Sequence, residues 1–225
     1  MSLTLFELSH SPYCIPIRRI LDAHGIRFET VAVPSWDRRE LARITSGTYY
    51  QVPVLNHDGT IVHETAADPL AVAHYLDRTF VAGCLFPDHC AGLQDIIVNQ
   101  IENSLEGIGF RLSDPGYSDS IQDLGERTMV IRHKERKFGA GCVELWRTTA
   151  AEIASDFESA LAPYETRLAH SRYLFSEHPV YADYALLGVL GNAQYGDHYT
   201  LDSQFVHLKR WESAMLRFSA GSQDD

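Results

Sequence analysis

The sequence predicts a small α/β unit followed by a longer all-helical one. Three observations carry that division. Alternating, β-branched runs are confined to residues 1–63. A strand, a helix and a second strand fit within about 30 residues at the start, the span of one right-handed parallel unit. Beyond residue 90 the apolar side chains recur at helical spacing instead. A length of 225 residues suits one or two domains, and 45% hydrophobic with 22% charged residues is ordinary for a globular chain. The net charge of −11 argues against nucleic acid and anionic membrane as partners. No apolar run approaches the roughly 20 residues that span a bilayer. MSLTLFEL lacks the basic segment and long apolar core of a signal peptide and reads as a first strand. A cytoplasmic protein with reduced thiols is expected, because Cys14, Cys84, Cys90 and Cys142 show neither CxxC nor zinc-site spacing. The 11 histidines are scattered, and no metal set is expected.

Taken in order, Leu3–Leu8 is the first strand. Ser11 then suits a helix N-cap, Pro12 the first helical position, and Gly25 the C-cap, with Ile17, Ile20, Leu21 and His24 at helical spacing between them. Ser-Pro-Tyr-Cys, residues 11–14, therefore sits where a loop enters a helix. Backbone N–H groups there are expected to be unpaired, and the helix dipole favours negative charge, so a thiolate at that point is stabilised. Pro16 disfavours helical geometry at Ile15 and loosens the first turn. Phe28–Val33 is the second strand, and Pro34–Thr48 is a loop with a short helix around Arg38–Ile44. Gln51–Leu55 is strand-like, but Pro53 within it belongs at an edge or special bend. His57-Asp58-Gly59 turns the chain into a fourth strand, Thr60–His63. Asp68 caps a helix with Pro69 at its first position and Leu70, Val72, Ala73 and Leu76 on one face.

In the second half, Leu93–Leu105 reads as one helix with Ile96, Ile97, Ile101 and Leu105 inward. Ser113–Asp123 is turn-rich and expected to be a loop near the site. Gly125–Arg136 is mixed and ends in the basic cluster Arg132, His133, Lys134, Arg136 and Lys137, which in an acidic chain either holds an acidic ligand, pairs across a dimer, or faces solvent as such runs usually do. Thr149–Leu168 is a helix with Ile153, Phe157, Leu161, Tyr164 and Leu168 on its packing stripe, and Leu208–Phe218 with Trp211 is the last. Ser219–Asp225 reads as a frayed tail.

Several of these motifs together resemble the glutathione transferase superfamily: SPYC, VPVL followed by Asp58-Gly59, Ala71-Val72-Ala73-His74-Tyr75-Leu76, the Leu85-Phe86-Pro87 linker, and Tyr181-Ala182-Asp183-Tyr184-Ala185-Leu186. The resemblance implies a thioredoxin-like glutathione-binding domain over residues 1–80, a linker over 81–90, and an all-α helical-bundle domain over 91–225. It makes glutathione the co-substrate, with no metal, and implies a homodimer. Ser11 falls on the serine that donates to the glutathione sulfur and keeps it as thiolate. Cys14 is the rival, since cysteine-type members form a mixed disulfide with glutathione. Tyr13 lies in reach, Gln51 and Val52 precede a proline that is cis in the family, Pro53, and Val52 offers its backbone to the cysteinyl part. The γ-glutamyl end falls to Asp68 by the helix match, with Glu64 and Thr65 as alternatives at the usual distance from the turn. Pro69 departs from the family serine, lacking both hydroxyl and N–H, and Val180 stands where a capping hydroxyl is usual before Asp183. The segment RHKERKFGAGCVELW, with Glu135-Arg136-Lys137-Phe138-Gly139, resembles transferases related to lignin β-etherases.

The activity implied is attack of the glutathione thiolate on a small hydrophobic electrophile held between the domains, with Phe110, Tyr117 and Trp146 as pocket walls. The alternatives are a cysteine-type thiol transferase or reductase using Cys14, a non-catalytic binder of glutathione or a hydrophobic ligand, and a structural role as in the transferase-like domains of larger assemblies, against which the free-standing length argues.

Overall fold

The computed structural model of the protein describes residues 2–221. Its first unit is a four-stranded mixed sheet of β1 (Leu3–Glu7), β2 (Glu29–Ala32), β3 (Val54–His57) and β4 (Thr60–His63), in the order β2-β1-β3-β4. β2 runs parallel to β1, with Leu5 beside Thr30, and β3 runs antiparallel to it, with Leu5 beside Leu55. The crossover helix α1 (Cys14–Ala23) buries Ile17, Ile20 and Leu21. It stops as Gly25 predicts: Gly25 has φ +63°, its N–H donates to Asp22, and the Ile26 N–H reaches back to Leu21 at 2.9 Å, closing a Schellman motif. The turn into β4 has both Asp58 and Gly59 at positive φ, the requirement of a two-residue hairpin. α2 (Arg39–Ile44) and α3 (Ala71–Phe80) complete the unit, and the Val52–Pro53 bond is cis.

The second unit is helical: α4 (Ala91–Gln100), α5 (Glu106–Ser120), α6 (Leu124–Phe138), α7 (Cys142–Thr148), α8 (Ala150–Leu168), α9 (Tyr181–Ala193) and α10 (Val206–Arg217). The α8 stripe is buried as its spacing requires. Three expectations are corrected. A π turn over 101–105 joins α4 to α5 without a break, and the buried stripe runs through Gln94, Val98, Ile101 and Leu105. Ile96 therefore points outward, 66% exposed. Residues 113–120 are helix rather than loop despite Pro115 and Gly116, because the segment is buried in the packing of the helical unit; the Ser113, Ser118 and Ser120 hydroxyls find partners in the carbonyls of Phe110, Asp114 and Tyr117. The start of the expected tail is anchored, not frayed: the Ala220 N–H donates to the Ala23 carbonyl, and Arg19 donates to Met215 and Phe218 carbonyls. The rest of that segment, residues 222–225, lies outside the described residues.

α9 is buried almost throughout and packs against α1, α4, α5 and α10. Asp183, 0% exposed, secures its first turn: Oδ1 accepts from the Leu174 N–H and the Trp211 indole, both at 2.9 Å, and Oδ2 from the Val180 N–H at 3.1 Å. The hydroxyl missing at Val180 is replaced by the Val180 carbonyl, which accepts from the Asp183 N–H at 2.9 Å. The linker is fixed from both sides, with the Leu85 N–H on Asp77 at 2.8 Å and its carbonyl taking bonds from Gln94 and Tyr181. Asp183→Ala strands three buried donors at once. It is expected to lower unfolding free energy by about 3 kcal/mol or more, read by chemical denaturation; a loss comparable to that of a surface substitution would contradict the role given to it.

Candidate active site between the two units

The loop from Leu8 into α1 is built around Ser11. The Ser11 N–H donates to the Leu8 carbonyl at 2.8 Å, its carbonyl accepts from the Cys14 and Ile15 N–H groups, and its Oγ accepts from the Tyr13 N–H at 3.3 Å. The N–H groups expected to be free at the helix entrance are thus taken up by Ser11 itself. Ser11 is 7% exposed, and its side chain lines a cavity of about 350 Å³ between the units. Cys14 is different. It is 0% exposed, and burial pushes its thiol up to about 12, overriding the hydrogen bonds from Leu8 and Ser11 that pull the other way. The helix dipole at this terminus does not compensate.

The floor of the loop comes from α9. The Asn192 side-chain amide donates to the His10 carbonyl at 2.7 Å. Gly188 lies directly below: a Cβ there would stand 2.1 Å from the Pro12 carbonyl oxygen and 2.7 Å from Pro16. Only a residue without a side chain permits this approach.

Val52 and Gln51 form the adjacent edge of the cavity. Neither the N–H nor the carbonyl of Val52 is hydrogen-bonded among the described residues, although Val52 is 8% exposed. A strand-like backbone pair is therefore presented unused at the site. Gln51 continues into a second groove with Tyr49, His63, Glu64, Thr65 and Pro69. Burial is the main cause that raises the Glu64 carboxyl to about 8, with Glu102 and Asp68 adding to it and a bond from the Tyr49 hydroxyl (3.4 Å) opposing it. Burial likewise raises Glu102 to about 7, and Glu106 upward. These acids also help to raise the Tyr13 hydroxyl, after burial. This end of the site is acidic. Asp68, favoured by the helix match, lines neither hollow. Its Oδ1 instead accepts from the Leu70 N–H at 3.1 Å and meets His74 Nδ1 at 2.9 Å, a turn-and-cap role.

The opposite wall comes from α5 and α6, with Asp114, Tyr117, Val130, His133 and Lys134. Of the three aromatic walls expected, Tyr117 is in place, its hydroxyl 2.5 Å from Ser35 Oγ. Phe110 and Trp146 instead stack edge to face at 5.3 Å in a cluster with Phe138. Four lining residues have no motif to mark them: His10, Arg38, His133 and Lys134. Burial holds His10 down at about 4, and its ring is stacked between Tyr117 and Tyr195. The Arg38 guanidinium makes no hydrogen bond or ion pair among the described residues, and its Nη1 is buried. The only advance signal was the basic cluster, two of whose members reach the cavity. Among the described residues no three His, Cys, Asp or Glu converge as metal ligands, and no helix is long and apolar enough to cross a membrane.

Comparison with known proteins matches residues 5–82 to the family model described as glutathione S-transferase, N-terminal domain, and residues 147–213 to glutathione S-transferase, C-terminal domain. Among solved structures, the glutathione transferase GSTFuA3 from Phanerochaete chrysosporium is 17% identical over 100% of this chain and 99% of its own, with a TM-score of 0.76. The transferase CsGST63524 of Ceriporiopsis subvermispora, in complex with glutathione, is 16% identical over 100% of both chains, also at 0.76. Glutaredoxin 2 from Salmonella typhimurium, again with glutathione, is 17% identical over 98% of this chain and 96% of its own, at 0.73. These likenesses carry the fold. No curated protein sequence matches the chain.

The acidic end gives a pH signature. Glu64 and Glu102 hold protons in the folded chain at pH values where the unfolded chain, titrating near 4.5, has released them, so stability falls as pH rises through about 7 and about 8. His10, held at about 4, acts in the opposite sense only below its ordinary 6.5, and Asp183, at about 6, has also finished by then. From roughly pH 7 to 8.5 the Tm is expected to fall, and Glu64→Gln to recover about 1 kcal/mol of stability at the upper limit. Thermal unfolding across that range checks this; a wild-type Tm that holds level or rises would contradict it.

Proposed function

The chain belongs to the glutathione S-transferase superfamily, and on that premise we propose that it activates the thiol of glutathione for attack on an electrophilic second substrate. The observation that supports this most is the setting of Ser11. Its oxygen accepts from the Tyr13 N–H, its hydroxyl proton, now directed at the Cys14 sulfur, can turn to a bound thiolate, and it borders the cavity beside the unused backbone of Val52. A hydroxyl donor and the positive end of α1 both favour a thiolate over a thiol.

The chemistry of glutathione matches what surrounds Ser11. Its cysteinyl backbone can exchange hydrogen bonds with the Val52 N–H and carbonyl. Its γ-glutamyl ammonium meets the Glu64 carboxyl, and the neighbouring carboxylate meets the Thr65 hydroxyl. Its glycyl carboxylate meets the unpaired Arg38 guanidinium. Residues 1–80 then serve as the glutathione-binding unit, 81–90 as the linker, and 91–225 supply the second wall. Ser11 holds the thiolate after the thiol proton leaves to solvent. A sulfur–carbon bond forms at the electrophile, and the leaving group departs with its electron pair.

The cysteine-type alternative is disfavoured by the burial of Cys14 and the upward push on its thiol, since a thiol that stays protonated is a poor nucleophile. Removal of Ser11 is expected to be the damaging change. Ser11→Ala should lower kcat/KM with an activated aryl halide by about 100-fold, the usual effect of deleting one donor to a developing or held anion. Cys14→Ala should keep most of the wild-type value. Full activity in Ser11→Ala with loss in Cys14→Ala would reverse the assignment, and no turnover by the wild type would end the transferase reading.

A further inference from the structure

We propose that the second substrate carries an anionic group, a carboxylate or its like, received by Lys134 and His133 on the wall of the cavity opposite Ser11. This rests on the transferase reading of the site and narrows its substrate class.

The cavity combines the apolar lining expected for a hydrophobic electrophile, from Leu8, Val52, Val130 and Tyr117, with charged groups. Two of its lining residues, Arg38 and Lys134, are cations, and Asp114 is its single carboxylate. Asp114 forms an ion pair with Lys134, whose ammonium also lies 4.8 Å from the centre of the Phe110 ring. These contacts fix the ammonium while using one of its three donors. Asp114 is pressed into the helix packing with a side chain 10% exposed, whereas that of Lys134 is 25% exposed, so the cation is the open member of the pair. His133 beside it makes no side-chain hydrogen bond among the described residues and is accessible.

The α6 side of the cavity is cationic although the chain as a whole carries −11, whereas Tyr13 on the α1 side feels Glu106, Glu102 and Glu64. Apart from burial, the influences that lower His133 are all cations, Lys134, Arg136, Lys137 and Arg38, and that which lowers His10 is Lys134. The carboxylate that interacts with His133 is Asp114, which is already paired with Lys134. Burial and these cations favour the neutral form of both imidazoles, in which each donates one N–H without adding charge. Arg38 is accounted for by the glycyl carboxylate of glutathione. Lys134 and His133, on α6, line the same cavity as Ser11 and remain for the second substrate. An anion placed there meets a fixed ammonium and a neutral donor, an arrangement that favours charged over neutral ligands of the same shape.

The test uses a matched pair of aryl halides, 4-chloro-3-nitrobenzoate and 4-chloro-3-nitrobenzamide, with each enzymatic kcat/KM divided by the uncatalysed rate constant with glutathione. It adds equilibrium binding of the unreactive 3-nitrobenzoate and 3-nitrobenzamide in the presence of S-methylglutathione. The wild type is expected to favour the carboxylate by about tenfold in both measurements, the size of one charge-assisted hydrogen bond. The double variant Lys134→Gln with Asp114→Asn removes the cation without leaving a buried carboxylate unpaired, and the carboxylate-to-amide ratio should then fall close to one. His133→Gln should lower the ratio less. Equal or better use of the amide by the wild type, or a ratio unchanged in the double variant, overturns the proposal while the transferase reading stands. If neither halide is turned over, the transferase reading fails, and the binding ratio still decides whether this wall receives anions.

Discussion

The site depends on how closely α9 approaches the loop before α1. Gly188 lies so near the Pro12 carbonyl and Pro16 that a single added carbon would overlap the backbone, and Asn192 holds the His10 carbonyl from the same helix. The loop is therefore shaped by the second unit as much as by its own sequence. α9 is in turn fixed by Asp183, which ties it to Leu174, Val180 and the Trp211 indole. A chain of close contacts runs from the core of the helical unit to the Ser11 hydroxyl. Interiors packed at this density transmit displacement instead of absorbing it.

Around that loop the two hollows differ in character: at one end are carboxyls that burial biases towards the protonated form, at the other permanent cations. Burial raises Glu64 at the edge of one hollow and Glu102 near it, and Arg38 and Lys134 line the other. Glutathione is itself polarised, with an ammonium at its γ-glutamyl end and a lone carboxylate at its glycyl end. Buried charge is costly without a partner, so groups held out of water and unpaired are the ones a ligand satisfies. The same desolvation silences Cys14. Thus one physical effect separates a thiol that packs from carboxyls and a guanidinium that wait for a partner.

Much of this was legible because it is local. Gly25 ends α1, although the helix begins at Cys14 with Tyr13 at its N-cap rather than at Ser11 and Pro12; Asp58-Gly59 closes its hairpin; the stripe from Ile153 to Leu168 is buried as spaced. What was misread involves tertiary context. The buried stripe takes Gln94 rather than Ile96, because the Gln94 amide is used to bond the Leu85 carbonyl and the Ala182 N–H, a long-range pairing that periodicity alone does not announce. Pro115 and Gly116 argue for a loop, but burial in the packing of the helical unit outweighs them. Asp68 matches a motif and its Oδ1 bonds the Leu70 N–H and meets His74, while Glu64 and Thr65 border the groove. His10, Arg38, His133 and Lys134 come from three separate segments, and only the crossing of the two units brings them together.

The most direct measurement is the thiol pKa of bound glutathione, followed by thiolate absorbance against pH at saturating protein, for the wild type and Gly188→Ala. A Ser11 hydroxyl held in place by α9 predicts a wild-type pKa lowered by about one unit or more, some 1.4 kcal/mol, and a smaller shift when the added methyl displaces the loop. Bound glutathione that titrates like the free thiol in the wild type would contradict the central claim.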